Sequence, residues 1–567
     1  LDDENELVDG IDLLSVTTTM EAGVDIGSLR GVVMSSMPPQ RFNYQQRVGR
    51  AGRRKDAFSF ALTTCRERTH DEYYFAHPDR ITNDSPPPPY IDVSRPEILK
   101  RTIASLALRD AFRELFSAGL VVDLGKNVHG EFGMVDDWTS NEGLVRATLR
   151  NLRQTLSQYL DNLLVNAHPS LINQRDYFLD WVSCATSPDL VDEISDKVER
   201  AQLPHLSQHL AEAGVLPMFG FPTRVRYIYL RRPTRAYPWP PRNTIDRHLE
   251  LAISEYAPGS EVVRDKRVHT AVGLASFEPK GGMVQENPNP FGREYEVAFC
   301  RRCGSIDDVT EKEHPTACKE CSAADDNFSV FKVAEPAGFR SSYRPDDFEG
   351  SFTRRARSTT PKISPDMTQM TVETVGRGEA LSGKGYVYVV NDNSTRLYSF
   401  APLSGGQDLS WVNVDIWRDD AWRRRLNLQF EPDIVPDQIW TGALGTRKST
   451  DSLLLGLDND IFGLDLRPFD PARRGAWYSF GFLLRSVAVR QLDVGPDEFN
   501  LGYSMRHIDG KSRVEVFLAD QLENGAGFCT RLGESQQILQ LTTGLTDFLK
   551  ELERPPHTGC DSSCPAC

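Results

Sequence analysis

Arg50 and Arg53 lie in Gln45-Gln46-Arg47-Val48-Gly49-Arg50-Ala51-Gly52-Arg53-Arg54, each directly after a glycine. A guanidinium is planar, permanently charged and able to fork onto two oxygens, which suits it to stabilising a phosphoryl group in transfer. Glycine lets the backbone come close to a ligand. In a helix opening here, three-residue spacing predicts both guanidiniums on one face. Upstream, Val16-Thr17-Thr18-Thr19-Met20-Glu21-Ala22-Gly23-Val24-Asp25-Ile26-Gly27 reads as an apolar strand breaking into a Gly-Val-Asp turn. The plain alternative is a basic surface helix after an ordinary βα turn. Arg47, Arg54 and Lys55 fit solvated or phosphate-facing charges.

A second chemistry comes from the ten cysteines, most of them in CxxC-like pairs. Cys300-x-x-Cys303 and Cys318-x-x-Cys321 are separated by fourteen residues. Each CxxC turn offers two sulfurs to one ion, and four thiolates complete a closed tetrahedral site. Zinc is the expected occupant, with an iron–sulfur centre or free thiols as alternatives. A closed four-sulfur site has no open position for catalysis. In the tail, Cys560, Cys564 and Cys567 need a fourth ligand, for which Cys529 and His557 are available. Cys529 is favoured because the preceding Gly525-Ala526-Gly527 turn can bring its backbone close.

A third stretch, from Leu216 to Trp239, alternates arginine with aromatic residues. Arg224, Arg226, Arg231, Arg232 and Arg235 are interleaved with Tyr227, Tyr229, Tyr237 and Trp239. Cations beside flat rings suit the backbone and bases of a single strand, so Arg224 and Arg226 are candidate nucleic-acid contacts. The equal alternative is a strand with one solvated face. The cluster Arg354, Arg355 and Arg357 fits a solvated face.

These residues need elements to hold them. At 567 residues the chain has room for three or four domains. Its net charge of −15 argues against a protein that coats nucleic acid uniformly, but leaves local basic grooves open. No run approaches the about eighteen apolar residues of a membrane span and no signal peptide is visible, so a cytoplasmic protein without a membrane partner is expected. Residues 1–85 read as the closing part of an α/β domain, with strand candidates at 31–36 and 58–64. The prolines at 86–89 mark a break. Residues 96–215 read as a helical connector, opened by Pro96 and carrying Ile98, Ile103, Leu106, Leu108 and Phe112 on an amphipathic face. Further helices are expected over 141–165, 174–183 and 188–214. A winged-helix or ratchet-like element on DNA is the sharper alternative for this region. Residues 216–299 read as β-rich, 300–321 as the four-cysteine site, and 330–567 as a second β-rich module ending in the cysteine cluster. Gly378-Glu379-Ala380-Leu381-Ser382-Gly383-Lys384-Gly385 almost spells a P-loop. Gly385 stands where a Ser or Thr would hold magnesium, and the next residues read as strand, so a hairpin turn is expected instead.

The ordered pair at 16–27 and 45–54 resembles motifs V and VI of superfamily 2 helicases. Glu255-Tyr256-Ala257-Pro258-Gly259, Asn524-Gly525-Ala526-Gly527 and Cys560-Asp561-Ser562-Ser563-Cys564 narrow the resemblance. The chain is similar to the helicases that end in a cysteine-bearing module, a group with members in mitomycin-damage repair and in the DISARM and Druantia phage-defence systems. The resemblance implies a partial RecA-like α/β domain, then a helical connector and a β-rich zinc-binding module. It implies that Thr17 and Gly23 touch the nucleic-acid backbone and that Asp25, with Gly23, borders the nucleotide. Gln46 corresponds to the first position of motif VI, and Arg50 and Arg53 to the arginine fingers. It implies ATP and magnesium as cofactors, DNA as partner, single-stranded by the residues above, and a role in phage defence or repair. No P-loop or DExH box precedes motif V, so the chain reads as the C-terminal portion of a split or truncated helicase, inactive without an ATP-binding half. The alternative is a non-catalytic DNA-binding or scaffold subunit.

Overall fold

The computed structural model describes residues 13–16, 29–38, 41–52, 58–66, 69–83, 95–121, 132–198, 205–217 and 224–553, apart from 281, 325, 352–359, 377, 404–408, 420–435, 459–462, 493 and 509. The chain forms two compact units. One holds Leu1–Tyr90, Leu483–Glu498 and Leu539–Cys567; the other holds Ile91–Phe482 and Phe499–Ile538.

In the first unit, β1 (Gly31–Met34) and β2 (Phe60–Thr63) pair in parallel, with Gly31 opposite Phe60 and Met34 opposite Thr63. The connection between them carries α1 (Arg41–Val48), as parallel strands joined by a crossover require. α2 (Thr69–Ala76) and α3 (Pro78–Thr82) follow. The Asp71 carboxylate, 3% exposed, accepts from the backbone N–H groups of Met37 and Arg66 and so ties the exits of both strands together. The expected strands at 31–36 and 58–64 are thus present, each slightly shorter.

The second unit begins with helices: α4 (Pro96–Ser117), α5 (Trp138–Asn151), α6 (Arg153–Leu164), α7 (Pro169–Ile172), α8 (Arg175–Val182), α9 (Leu190–Val198) and α10 (Leu206–Glu212). Pro96 occupies the first turn of α4, where its missing N–H is no loss. The buried face of α4 is Leu99, Ile103, Ala107, Leu108, Ala111, Phe112 and Leu115; it packs with Trp138, Leu149, Phe178 and Trp181 in one core. Ile98, expected on that face, is exposed, because the face is set by Leu99 one position on. Arg146 ties α5 to the start of α9 through Asp189 and Asp192.

The rest of this unit is built on one sheet. Its strands are β3 (Val225–Tyr229), β4 (Thr244–His248), β5 (Glu261–Arg264), β6 (Arg267–Leu274), β9 (Arg293–Cys300), β10 (Ile306–Asp308), β11 (Phe328–Glu335), β12 (Phe339–Ser341), β13 (Asp346–Asp347), β14 (Lys362–Val375), β15 (Gly378–Asn391), β16 (Tyr398–Pro402), β17 (Trp411–Asn413), β18 (Trp440–Asp458), β19 (Phe499–Ile508) and β20 (Lys511–Asp520). A separate hairpin joins β7 (Ser276–Lys280) to β8 (Met283–Asn287). The main path runs β10-β9-β11-β18-β16-β17-β6-β12-β3-β4. The stretches 216–299 and 330–567, expected as separate modules, therefore share one hydrogen-bonded sheet. α11 (Leu249–Glu255) covers it with Leu249, Ala252 and Ile253, beside Tyr256, Phe339 and Phe400. The Pro-Gly turn after Tyr256 leads into the β5–β6 hairpin. α12 (Val414–Arg418) and α14 (Phe528–Leu532) complete this unit, together with the first parts of α13 (Pro471–Leu492) and α15 (Ser535–Leu552), whose later residues belong to the first unit. No helix among the described residues is long and apolar enough to cross a membrane.

β18 is the hub. Along its length it pairs with β16, with β11 in parallel, with β15 over Leu444–Leu457, and with β20 over Ser452–Asp458. Gly378–Gly385 is the first half of β15, so this P-loop look-alike is strand rather than the expected turn. Lys384 within it is committed to the Asp451 carboxylate at 2.8 Å and the Asn524 carbonyl at 2.6 Å. Asp451, 3% exposed at its side chain, also takes Arg95 at 2.7 Å, the residue just before α4. Removing one partner of a buried ion pair leaves charge without compensation. Asp451→Ala is therefore expected to destabilise the unit by about 3–5 kcal/mol, read as a fall in the urea midpoint, while Asp458→Ala, on a more exposed pair, is expected to move it by less than about 1 kcal/mol. Equal shifts would remove Asp451 from this role.

Candidate functional site

The motif VI segment places its first residue on α1 and its first arginine beyond it. Gln46 is exposed on the helix. α1 stops at Val48, and Gly49 and Arg50 turn back onto Gln45 and Arg47 through backbone hydrogen bonds of 2.8 and 3.1 Å. A helix opening here was expected to carry Arg50; instead α1 ends before Arg50, which rides on its C-terminal turn. That turn is fixed from the far side. Ala51 pairs with Leu29, and the Gly52 N–H donates to the Leu29 carbonyl at 2.9 Å. Gly52 has φ +78°, and a Cβ there would lie 2.6 Å from the Ser59 hydroxyl, so no other residue fits without strain. Arg50 is 8% exposed. Thr17, Gly23, Asp25, Arg53, Arg54 and Lys55 lie outside the described residues.

The four-cysteine cluster forms as the spacing predicts. β9 delivers Cys300 at its last residue, and the chain turns through Cys303 into β10. In this turn the Gly304 N–H meets the Cys300 carbonyl at 2.9 Å; in the second, the Ser322 N–H meets the Cys318 carbonyl at 2.8 Å. All four sulfurs lie within 4.8 Å of one another. Cys300 and Cys321 are 3.5 Å apart, and Cys303 and Cys318 3.7 Å. A tetrahedron with metal–sulfur bonds of about 2.3 Å has sulfur–sulfur edges of about 3.8 Å, so the spacing fits one ion. Cys300, Cys303 and Cys318 are buried. Hydrogen bonds among the thiols push Cys303 up, chiefly through Cys300, and Cys318 down, through Cys300 and Cys303.

Two neighbours of the cluster escaped the sequence. The Ser305 hydroxyl lies 3.3 Å from both the Cys303 and Cys318 sulfurs. Lys362, at the start of β14, has its ammonium 4.7 Å from the Tyr503 ring centre, and a Cβ on Gly304 would lie 3.5 Å from it. Burial pushes this lysine down to about 8, opposed by Cys303. It is the kind of cation that a four-thiolate centre of net negative charge calls for. Ser305 follows the second cysteine by two residues, a signal the sequence offered. Lys362 follows by fifty-nine, and only the sheet brings it here.

Of the tail ligands, Cys529 is described. It is fully buried in the first turn of α14, and burial with the adjacent Asp520 carboxylate pushes its thiol well up. Asp520 accepts the N–H groups of Ala526, Gly527, Phe528 and Cys529 at 2.8–3.1 Å, which shapes the Asn-Gly-Ala-Gly turn. Gly525, with φ +78°, faces the Asp451 carboxylate so closely that a Cβ would lie 2.1 Å from its oxygen. Cys560, Cys564, Cys567 and His557 lie outside the described residues.

The basic-aromatic strand is arranged differently from expectation. Arg224 points into the protein. Its Nε and Nη2 meet the two Glu523 oxygens at 2.8 and 2.7 Å, Nη2 also meets the Arg447 carbonyl, and Nη1 donates to the Thr446 hydroxyl. Arg226 donates through Nε to the Pro336 carbonyl at 2.7 Å and through Nη1 to the Val225 carbonyl. Alternation marked the strand correctly, but these guanidiniums are committed to the fold rather than presented to a ligand. Tyr229 is buried against Phe277, ring centres 4.7 Å apart.

Compared with known proteins, residues 5–55 match the helicase conserved C-terminal domain family, a span holding both motif segments through Arg53. Over 631 aligned residues the chain is 26% identical to Druantia protein DruE of Escherichia coli (strain UMEA 4076-1), a match covering 98% of this chain and 33% of the relative. It is 38% identical over 65 residues to the ATP-dependent helicase HRQ1 of Saccharomyces cerevisiae (strain ATCC 204508 / S288c), 12% of this chain and 6% of that one. Among solved structures it is similar to the DUF1998 helicase MrfA bound to DNA, at 13% identity and a TM-score of 0.35, over 97% of this chain and 50% of that one. The chain resembles the C-terminal part of a superfamily 2 helicase, as its motifs led us to expect, and spans a third of the length of DruE.

The four-sulfur geometry sets an expected outcome. The purified chain is expected to hold one tightly bound metal ion at Cys300, Cys303, Cys318 and Cys321 by elemental analysis. Binding at such sites is worth on the order of 10 kcal/mol, so Cys303→Ser is expected to lose the ion and unfold residues 300–321, seen as lost protection from hydrogen exchange. Folded protein without metal would overturn the assignment.

Proposed function

We propose that this chain is the C-terminal portion of an ATP-dependent DNA helicase or translocase, acting in the cytoplasm in phage defence or DNA repair. The observation that carries the proposal is the helicase C-terminal match over residues 5–55, which includes Gln46, Arg50 and Arg53. The buried, strand-pinned turn that presents Arg50 supports it. In this reading Arg50 and Arg53 face the γ-phosphate of ATP, with Gln46 beside them. Gly23 and Asp25 border the nucleotide, and Thr17 and Gly23 touch the DNA backbone. ATP and magnesium are held by an ATP-binding RecA-like half, supplied in the same protein or by a partner. Zinc at Cys300, Cys303, Cys318 and Cys321 stabilises the β-rich module, and a second zinc is held by Cys529, Cys560, Cys564 and Cys567. The relatives support the reading: HRQ1 is an ATP-dependent helicase, and DruE is a Druantia protein.

As a phosphoryl group transfers, charge builds on its equatorial oxygens, and finger arginines contribute about 10³–10⁵ in rate. Lysine keeps the charge but loses the fork. In an assembly that includes a P-loop-bearing half, Arg50→Ala and Arg53→Ala are expected to cut DNA-stimulated ATP turnover by about a thousandfold or more with nucleotide affinity nearly intact, and Arg53→Lys to be severely impaired. Turnover and nucleotide affinity measured side by side check this. Near-normal turnover in both alanine variants would remove the catalytic reading.

A further inference from the structure

The connection between β3 and β4, residues 230–243, is a rigid, acid-free, cationic loop carrying an exposed aromatic ring. Residues 231–243 read Arg-Arg-Pro-Thr-Arg-Ala-Tyr-Pro-Trp-Pro-Pro-Arg-Asn: four arginines and no carboxylate, in a chain of net charge −15. Four prolines stiffen it, since each fixes its own φ. The loop is anchored at both ends. The Leu230 N–H donates to the Asn243 carbonyl at 2.9 Å, and the Thr244 hydroxyl to the Pro241 carbonyl at 2.7 Å. Trp239 packs on the Tyr229–Ala275–Phe277 cluster. Arg232 is held by Glu286 at 2.7 Å.

What the anchors leave outside is specific. Tyr237 is 86% exposed, although tyrosine has a ring worth burying. Arg231, Arg235 and Arg242 are exposed, and none of the three is in an ion pair with another described residue. Beside Arg231 lies His269, 8% exposed, whose Nδ1 has no hydrogen-bond partner among the described residues. Burial lowers the pKa of this ring, and the charges of Arg231 and of Arg264 and Arg267, at the neighbouring β5–β6 turn, lower it further; Asp265 is the opposing group.

We propose that the β3–β4 loop is a single-stranded DNA contact, with a base stacked on Tyr237 and phosphates on Arg231, Arg235 and Arg242. The proposal rests on the DNA-helicase reading above and moves the contact away from Arg224 and Arg226, whose donors are committed internally. A pre-stiffened loop loses little conformational freedom on binding. Every base has a π-face, so stacking on one ring is tolerant of sequence. A duplex, with its bases already stacked, offers Tyr237 nothing.

The test is fluorescence anisotropy of labelled oligothymidylate with the intact chain across a salt series, with a duplex of equal length alongside. Each phosphate contact contributes about 0.7 to the log–log salt slope on single strands, so Arg231→Ala/Arg235→Ala/Arg242→Ala is expected to lower the slope by about 2 and weaken binding more than tenfold. Tyr237→Ala is expected to weaken single-strand binding about tenfold with the slope unchanged and duplex binding unaffected, and Tyr237→Phe to retain it. Melting temperature and metal content, unchanged in all variants, separate these effects from misfolding. The inference is overturned if the wild-type chain does not bind the oligonucleotide, if the variants bind it like wild type, or if Tyr237→Ala weakens the duplex equally. Loss of binding in the loop variants with ATP turnover indifferent to Arg50 would sink the catalytic reading alone. DNA-stimulated turnover that needs Arg50, with loop variants binding normally, would sink this one alone.

Discussion

The second unit depends on a polar stretch running through the middle of its most buried strand. Thr446, Lys448, Thr450, Asp451 and Ser452 of β18 are all less than 4% exposed. An unsatisfied polar group there would cost about 1–3 kcal/mol, and an unpaired charge more. Each has a partner from another part of the chain. Thr446 accepts from Arg224; Lys448 reaches Glu250 at 2.8 Å and the Gln521 carbonyl; Thr450 donates to the carbonyls of Asp520 and Leu522; Ser452 donates to the Gly383 carbonyl. Asp451 receives Arg95 and Lys384. Partners drawn from the start of α4, from α11, from β15 and from the 521–527 turn are thereby locked to one strand. The network specifies which segments meet, since any other register would leave these groups buried without partners.

This arrangement also explains how the Asn-Gly-Ala-Gly turn is held. Asp520 collects four backbone N–H groups, and the Asn524 N–H donates to the Ser449 carbonyl at 2.7 Å. Arg224 closes the same region through Glu523. The end of the helical body joins it: Arg101 donates to the Gly214 carbonyl, and a Cβ on Gly214 would sit 2.9 Å from the Asn524 side chain. The P-loop look-alike, through Lys384, and the Asn-Gly-Ala-Gly turn thus meet at one buried polar junction around Asp451.

The four-cysteine cluster stands on the same sheet. β9 and β11 frame it, with Cys300 opposite Phe328, and β14 and β19 supply Lys362 and Tyr503. The four-cysteine cluster and the charged spine are therefore two fastenings of one architecture. One is local, closed by cysteines that span residues 300–321; the other is long-range and purely proteinaceous.

The sequence by itself determined the features whose chemistry is local. CxxC spacing is enough to bring four sulfurs together, because each turn is made by its own backbone. Pro96 and the helical periodicity placed α4, short strand candidates placed β1 and β2, and alternation placed β3. The Gly-Arg repeat and the strand before it pointed to a helicase, a resemblance the family match over 5–55 upholds. Only the tertiary structure decided which face of a strand meets which partner. Alternation says that one face of β3 is buried, but it cannot say that Glu523 waits to receive Arg224. It could not mark Arg447–Ser452 as strand interior either, since a run of polar residues looks solvated until carboxylates, lysines and carbonyls from distant segments close around it. Nor could it show that α1 ends before Arg50, because the stop is set by the pairing of Ala51 and Gly52 with Leu29. Local patterns carry local geometry; the commitment of a charge to the fold or to solvent depends on residues hundreds of positions away.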